Sequence, residues 1–97
     1  MKINFDKIPA RVNPFEDKKQ DISFKEVIIS YLWNKRGNTA QEARFALDLV
    51  PVTGEVDIND EQVGFIKDFA ENYGLPYYAR TAILEAVGIK EDKKEGK

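Results

Sequence analysis

One short pattern occurs twice in this chain and commits two stretches to helix. In Ile22-Ser23-Phe24-Lys25-Glu26-Val27 a Ser stands three positions before a Glu, and in Ile58-Asn59-Asp60-Glu61-Gln62-Val63 an Asn stands three positions before a Gln; apolar residues flank both. Such a pair satisfies orphan N–H groups of a first helical turn reciprocally, and the apolar flanks staple together. The spacing predicts a first helix capped by Ser23, with Ile22 stapled to Val27 and Phe24, Val27, Ile28, Tyr31 and Leu32 turned inward. It should stop near Arg36, where Lys35 and Arg36 meet the negative dipole end and Gly37 tolerates the left-handed cap. The helix after Asn59 carries Val63, Ile66, Ala70 and Tyr73 in one stripe and Phe65 with Phe69 in a second, so more than one neighbour must cover it.

Between these two helices, Asn38 and Thr39 are alternative caps, with Gln41 or Glu42 at the reciprocal position, and Ala40, Ala43, Ala46, Leu47 and Val50 form the expected inner stripe. The connection from the first helix is so short that the pair must be a helical hairpin or the front of a helix-turn-helix. Pro51 ends the second helix. Pro76 is read as the first position of a last helix through Ala79, Ala82, Ile83, Ala86 and Val87, closed by Gly88 with Ile89 placed for a Schellman contact. Alanine on its inner stripe allows a close crossing, against the third or the first helix.

The remaining pieces are extended. Polar and apolar residues alternate over 2–6, and Val56 and Ile58 share one face of the segment 55–58, so these two short strands are expected to pair. Two prolines and the charged cluster from Glu16 to Lys19 make 9–21 read as an extended linker pinned by Val12 and Phe15. Residues 90–97, charged at every position except Gly96, read as a disordered tail. The expected architecture is therefore mainly α: a four-helix domain over 1–89 with one minor β pairing.

Composition narrows the chemistry. The 97 residues include 15 Lys and Arg against 17 Asp and Glu, and neither His nor Cys. That removes the commonest zinc ligands, the commonest general base, thiol nucleophiles and disulfides. Ser23 is assigned to a cap and Ser30 has no base at a readable spacing, so the expectation is a protein without catalytic activity, cofactor or metal. No apolar run reaches the ~18 residues of a membrane span, and no secretory apolar core opens the chain. A cytoplasmic protein without membrane contact is the expectation. Asp57, Asn59 and Glu61 alternate like calcium-loop ligands, but Gln62 stands where such a loop turns on Gly, Asp68 stands in place of its bidentate Glu, and the segment already starts a helix.

Two regions are candidates for partner contact. Residues 51–73 hold a single cation, Lys67, against Glu55, Asp57, Asp60, Glu61, Asp68 and Glu71, a local net charge of -5. Tyr77, Tyr78 and Arg80 lie just beyond the Gly74–Pro76 turn; exposed, they suit an interface, and buried, they are core. Lys35, Arg36 and Arg44 form the alternative, a basic patch on a helix-turn-helix-like pair that would contact DNA phosphates. A pI of about 5.2 and the neighbouring acids disfavour nucleic acid.

The opening Met1-Lys2-Ile3-Asn4-Phe5-Asp6-Lys7-Ile8, the middle Gly54-Glu55-Val56-Asp57-Ile58-Asn59-Asp60-Glu61 and the short charged tail resemble small uncharacterised proteins of bacterial phages, prophages and related mobile elements. The resemblance brings no catalytic or binding residues. It implies an accessory role through protein contact, in virion assembly or host-protein modulation. The expected function is that of a small interaction or structural accessory protein with a protein partner or self-association. The alternative is a DNA-binding regulator.

Overall fold

A computed structural model describes residues 1–89; the tail expected at 90–97 lies outside the described residues. In chain order the elements are β1 (Lys2–Ile3), β2 (Ile8–Ala10), β3 (Gln20–Ile22), α1 (Lys25–Asn34), α2 (Ala40–Leu49), β4 (Val56–Asp57), α3 (Asp60–Asn72) and α4 (Tyr77–Ala86). The fold is mostly helical, with two small antiparallel sheets. In one, Lys2 faces Asp57 and Ile3 faces Val56. In the other, Ile8 faces Ile22, Pro9 faces Asp21 and Ala10 faces Gln20.

The second sheet corrects the linker expected over 9–21. The segment is a β-hairpin whose strands enclose the irregular loop 11–19. Pro9 is tolerated because its strand is short and needs no donor there, and the alternating burial of Ile8, Pro9 and Ala10 presses Ile8 and Ala10 into the core. Val12 packs on the core as a pin, but Phe15 does not: it is 93% exposed.

The hairpin also alters how α1 starts. Phe24 donates its N–H to Phe5 O at 2.7 Å, which draws 23–24 toward the strand layer. The Ser23 hydroxyl donates to Asp6 Oδ1 at 3.2 Å, and the N-cap is Phe24, without a side-chain cap. The helix predicted after Ser23 is present, while its expected cap is not. It ends at Asn34, with Lys35 as an extended C-cap, slightly short of Arg36. The Asn38 amide donates to Leu32 O at 2.8 Å and Trp33 O at 3.1 Å, so it closes the end of α1 and leaves Thr39 to begin α2.

Both predicted capping boxes beyond α1 are complete. Thr39 Oγ1 accepts from Glu42 N at 3.1 Å while Glu42 Oε1 accepts from Thr39 N at 2.8 Å. Asn59 Oδ1 accepts from Gln62 N at 2.8 Å while Gln62 Oε1 accepts from Asn59 N at 2.9 Å. At the far end of α4, Ile89 N bonds to Leu84 O at 2.9 Å and Gly88 N to Glu85 O at 3.0 Å. That is a Schellman closure, and it needs the positive φ of 81° that Gly88 supplies.

The inner face of α2 differs from the expected stripe. Glu42, Phe45, Ala46 and Leu49 are buried, whereas Leu47 and Val50 are more than half exposed. Both sets have helical spacing. The structure chose the one with Phe45, whose ring meets Phe65 of α3 at 6.1 Å, and accepted a buried carboxylate on the same face. Phe69 is the centre of the core: fully buried, it meets Phe24 at 6.5 Å, Tyr31 at 5.6 Å and Tyr73 at 5.1 Å. Tyr73 itself lies at the edge of that aromatic group, 45% exposed. The last helix packs on α3 and also on β2, and its Ala79 and Ala82 are buried.

Candidate protein-interaction surface

The hairpin loop and the start of α4 enclose a cleft of about 400 Å³. Pro9, Pro14 and Lys19 form one wall, Tyr77, Tyr78 and Glu85 the other, and the buried Ala10 and Ala82 lie between them. Small residues at 10 and 82 let helix and strand approach, while the two tyrosines of the first helical turn stand away from the contact. Tyr77 is 66% exposed, and the Arg80 guanidinium lies 5.6 Å from its ring centre, a cation–π contact. Thr81 also lines the cleft, and its buried hydroxyl oxygen has no hydrogen-bond partner among the described residues.

The loop wall has a defined shape. Phe15 N donates to Asn13 Oδ1 at 2.9 Å and Glu16 N to Asn13 O at 3.2 Å, an Asx-stabilised tight turn. Arg11 grips it from below: Nε donates to Glu16 O at 2.7 Å and Nη2 to Pro14 O at 3.1 Å, with Asp17 Oδ1 3.5 Å from the same guanidinium. The fork geometry of arginine suits this two-carbonyl grip.

The structure separates the acidic candidates. Glu55, Asp60, Glu61 and Glu71 are exposed. Asp57 Oδ1 accepts from the Met1 ammonium at 3.0 Å, and this hydrogen bond and the adjacent charge hold its carboxyl below the ordinary range. Asp68 faces inward and accepts from Lys35 Nζ at 2.7 Å, Tyr31 Oη at 2.9 Å and Asn72 Nδ2 at 2.7 Å. The -5 segment is therefore not a continuous anionic face.

Of the basic candidates, Lys35 is taken up by an internal ion-pair cluster. Lys35, placed at the dipole end of the first helix and in the DNA-contact patch, is only 20% exposed and is held between Asp68 and Glu42, whose Oε2 is 2.6 Å away. Hydrogen bonds to these two carboxylates raise its pKa. Arg36 and Arg44 remain exposed. Burial pushes the Glu42 and Asp68 carboxyls up, but in each case the hydrogen bonds and the Lys35 charge together outweigh it, and both end below the ordinary range. Burial, then the bond to Asp68, raises the Tyr31 phenol. This cluster joins α1, α2 and α3 and does not line the cleft between the hairpin and α4.

Sequence reasoning missed Pro9, Pro14, Lys19 and Thr81 as cleft residues and Phe15 as an exposed aromatic. The Asn13-Pro14 pair was a legible turn signal that would have put Phe15 at a tip. Trp33 on α1 is 51% exposed and borders a second, more polar hollow with Ile29 and Val50. Among the described residues no group of three His, Cys, Asp or Glu converges as a metal site, and no helix is long and apolar enough to cross a membrane. Comparison of the chain with family models, with characterised proteins and with solved structures returns no match.

Proposed function

We propose that this chain acts without catalysis, as a small interaction or structural accessory protein, and that the cleft between α4 and the hairpin loop is its contact surface. One observation carries the reading: two exposed tyrosines border an apolar cleft whose opposite wall is held in shape by Arg11. Rigid aromatic residues beside a preorganised hollow are what interface anchors require, because little side-chain entropy is lost on contact. The resemblance to phage and mobile-element proteins supports virion assembly or host-protein modulation as the setting. With Lys35 tied to two carboxylates, too few free cations remain nearby to favour a phosphate footprint.

The test is site-directed photocrosslinking in cells, with a photoreactive phenylalanine analogue at position 77 and, as control, at the exposed position 61 in the first turn of α3. A discrete protein adduct from position 77 alone, lost on Tyr78→Ala, is the expected result. Absence of any adduct at 77, or equal labelling from 61, overturns the assignment.

A further inference from the structure

We infer that the occupant of the cleft is a second copy of this chain, with Phe15 of each copy inserted into the cleft of the other; the inference rests on the reading of the cleft as a contact surface. Phe15 is the most exposed large apolar side chain, at 93%. Its neighbour Pro14 lines the cleft, but Phe15 does not, so it projects beside the hollow without filling it. The backbone that carries the knob is held in place. One guanidinium holds the carbonyls on both sides of it, Pro14 O and Glu16 O, while Asn13 fixes its N–H. A turn whose backbone is tied by this many hydrogen bonds loses less freedom on contact than an open loop, so only the ring itself remains to be ordered.

Knob and hollow share one surface patch, which is the requirement for an isologous two-fold pair: the contact of residue i with residue j is repeated as j with i. A cleft of about 400 Å³ holds a phenyl ring, and its Pro9, Tyr77 and Tyr78 surfaces give it aromatic and aliphatic neighbours. The charges are self-complementary as well. Lys19 lies on the loop wall and Glu85 on the helix wall, so a two-fold operation can set each cation against the partner's anion. One inserted ring and one small cleft per copy place such an interface among the small ones, and so make the dimer weak and concentration-dependent.

Sedimentation velocity from about 5 μM to about 500 μM covers that range of affinity. The weight-average mass should rise from 11.1 kDa toward twice that value. Phe15→Ala, at a position too exposed to affect folding, should hold the chain monomeric throughout, and Tyr77→Ala should do the same. Isotope-filtered NMR on mixed labelled and unlabelled chains should show Phe15 ring protons in contact with Tyr77 or Tyr78 of the other copy. A monomer at the highest concentration, or a dimer insensitive to Phe15→Ala and lacking those contacts, overturns the inference. A monomer that still gives a heterologous adduct from position 77 overturns self-pairing alone and leaves the contact surface standing.

Discussion

Lys35 and Asp68, 33 residues apart in the chain, meet at 2.7 Å, and the same ammonium reaches Glu42 at 2.6 Å, so one cation ties α1 to both α2 and α3. Glu42 is 6% exposed and is the buried charged residue among those described. Its burial is tolerated because it also completes the capping box with Thr39. Removing the cation would leave two carboxylates facing each other in a poorly hydrated place. Lys35→Met should therefore destabilise the fold by about 3 kcal/mol, the low end for a broken buried pair because Asp68 is a third exposed. Urea denaturation followed by far-UV circular dichroism measures this; a change under about 0.5 kcal/mol, typical of surface sites, would show that the cluster is only a surface ion pair.

Acid should unfold the protein through the same groups. Glu42 and Asp68 titrate below their ordinary values in the folded state, so their stabilisation is complete above the unfolded carboxylate range, roughly pH 4–5, and is lost as pH falls through the lowered values. Lys35 and Tyr31 are shifted upward, so their contribution is complete below about pH 10 and is lost only in strong alkali. Stability should be flat near neutrality and decline below about pH 5. Glu42→Gln should flatten the acid limb, as read from denaturation midpoints across pH; an unchanged limb would remove this cluster as its cause.

The three helix starts should respond differently to alanine. Thr39→Ala and Asn59→Ala each remove an observed cap and should cost about 1 kcal/mol. Ser23→Ala loses only an exposed bond to Asp6 and should cost well under that, roughly 0.3 kcal/mol. Equal losses at all three sites, measured by thermal or chemical denaturation, would mean that Ser23 caps after all.

The second helix offers a test of which face is core. Phe45→Ala should cost about 3 kcal/mol or more, because its ring is 3% exposed and packs on Phe65. Leu47→Ala, at a side chain 52% exposed, should stay within about 0.5 kcal/mol. Reversal of that order would restore the stripe read from spacing alone.

The candidate site was legible in part. Tyr77, Tyr78 and Arg80 were readable because they follow a Gly-Leu-Pro helix boundary, yet whether they faced inward or outward depended on β2, which the charge-rich, proline-broken segment before Ile22 concealed. Phe15 read as a pin because an isolated apolar residue in a polar loop usually has a core to reach; here Arg11 holds the loop so that it does not.

What the amino-acid order determined by itself were the features whose partners lie within a few positions: the boxes at Thr39 and Asn59, the closure at Gly88 and the four helices among the described residues. Hydrogen bonds across three to five residues depend on spacing, and spacing is written in the chain. Tertiary structure decided the cap of α1, where Phe24 N–H is bonded to the Phe5 carbonyl and the Ser23 hydroxyl to Asp6, and the inner face of α2, where Phe65 selected Phe45. It also decided the cleft, which joins Pro9 and Pro14 to Tyr77 and Tyr78. Each of these turns on a partner remote in sequence, and the free energy of burying one apolar set over another exists only once that partner has arrived.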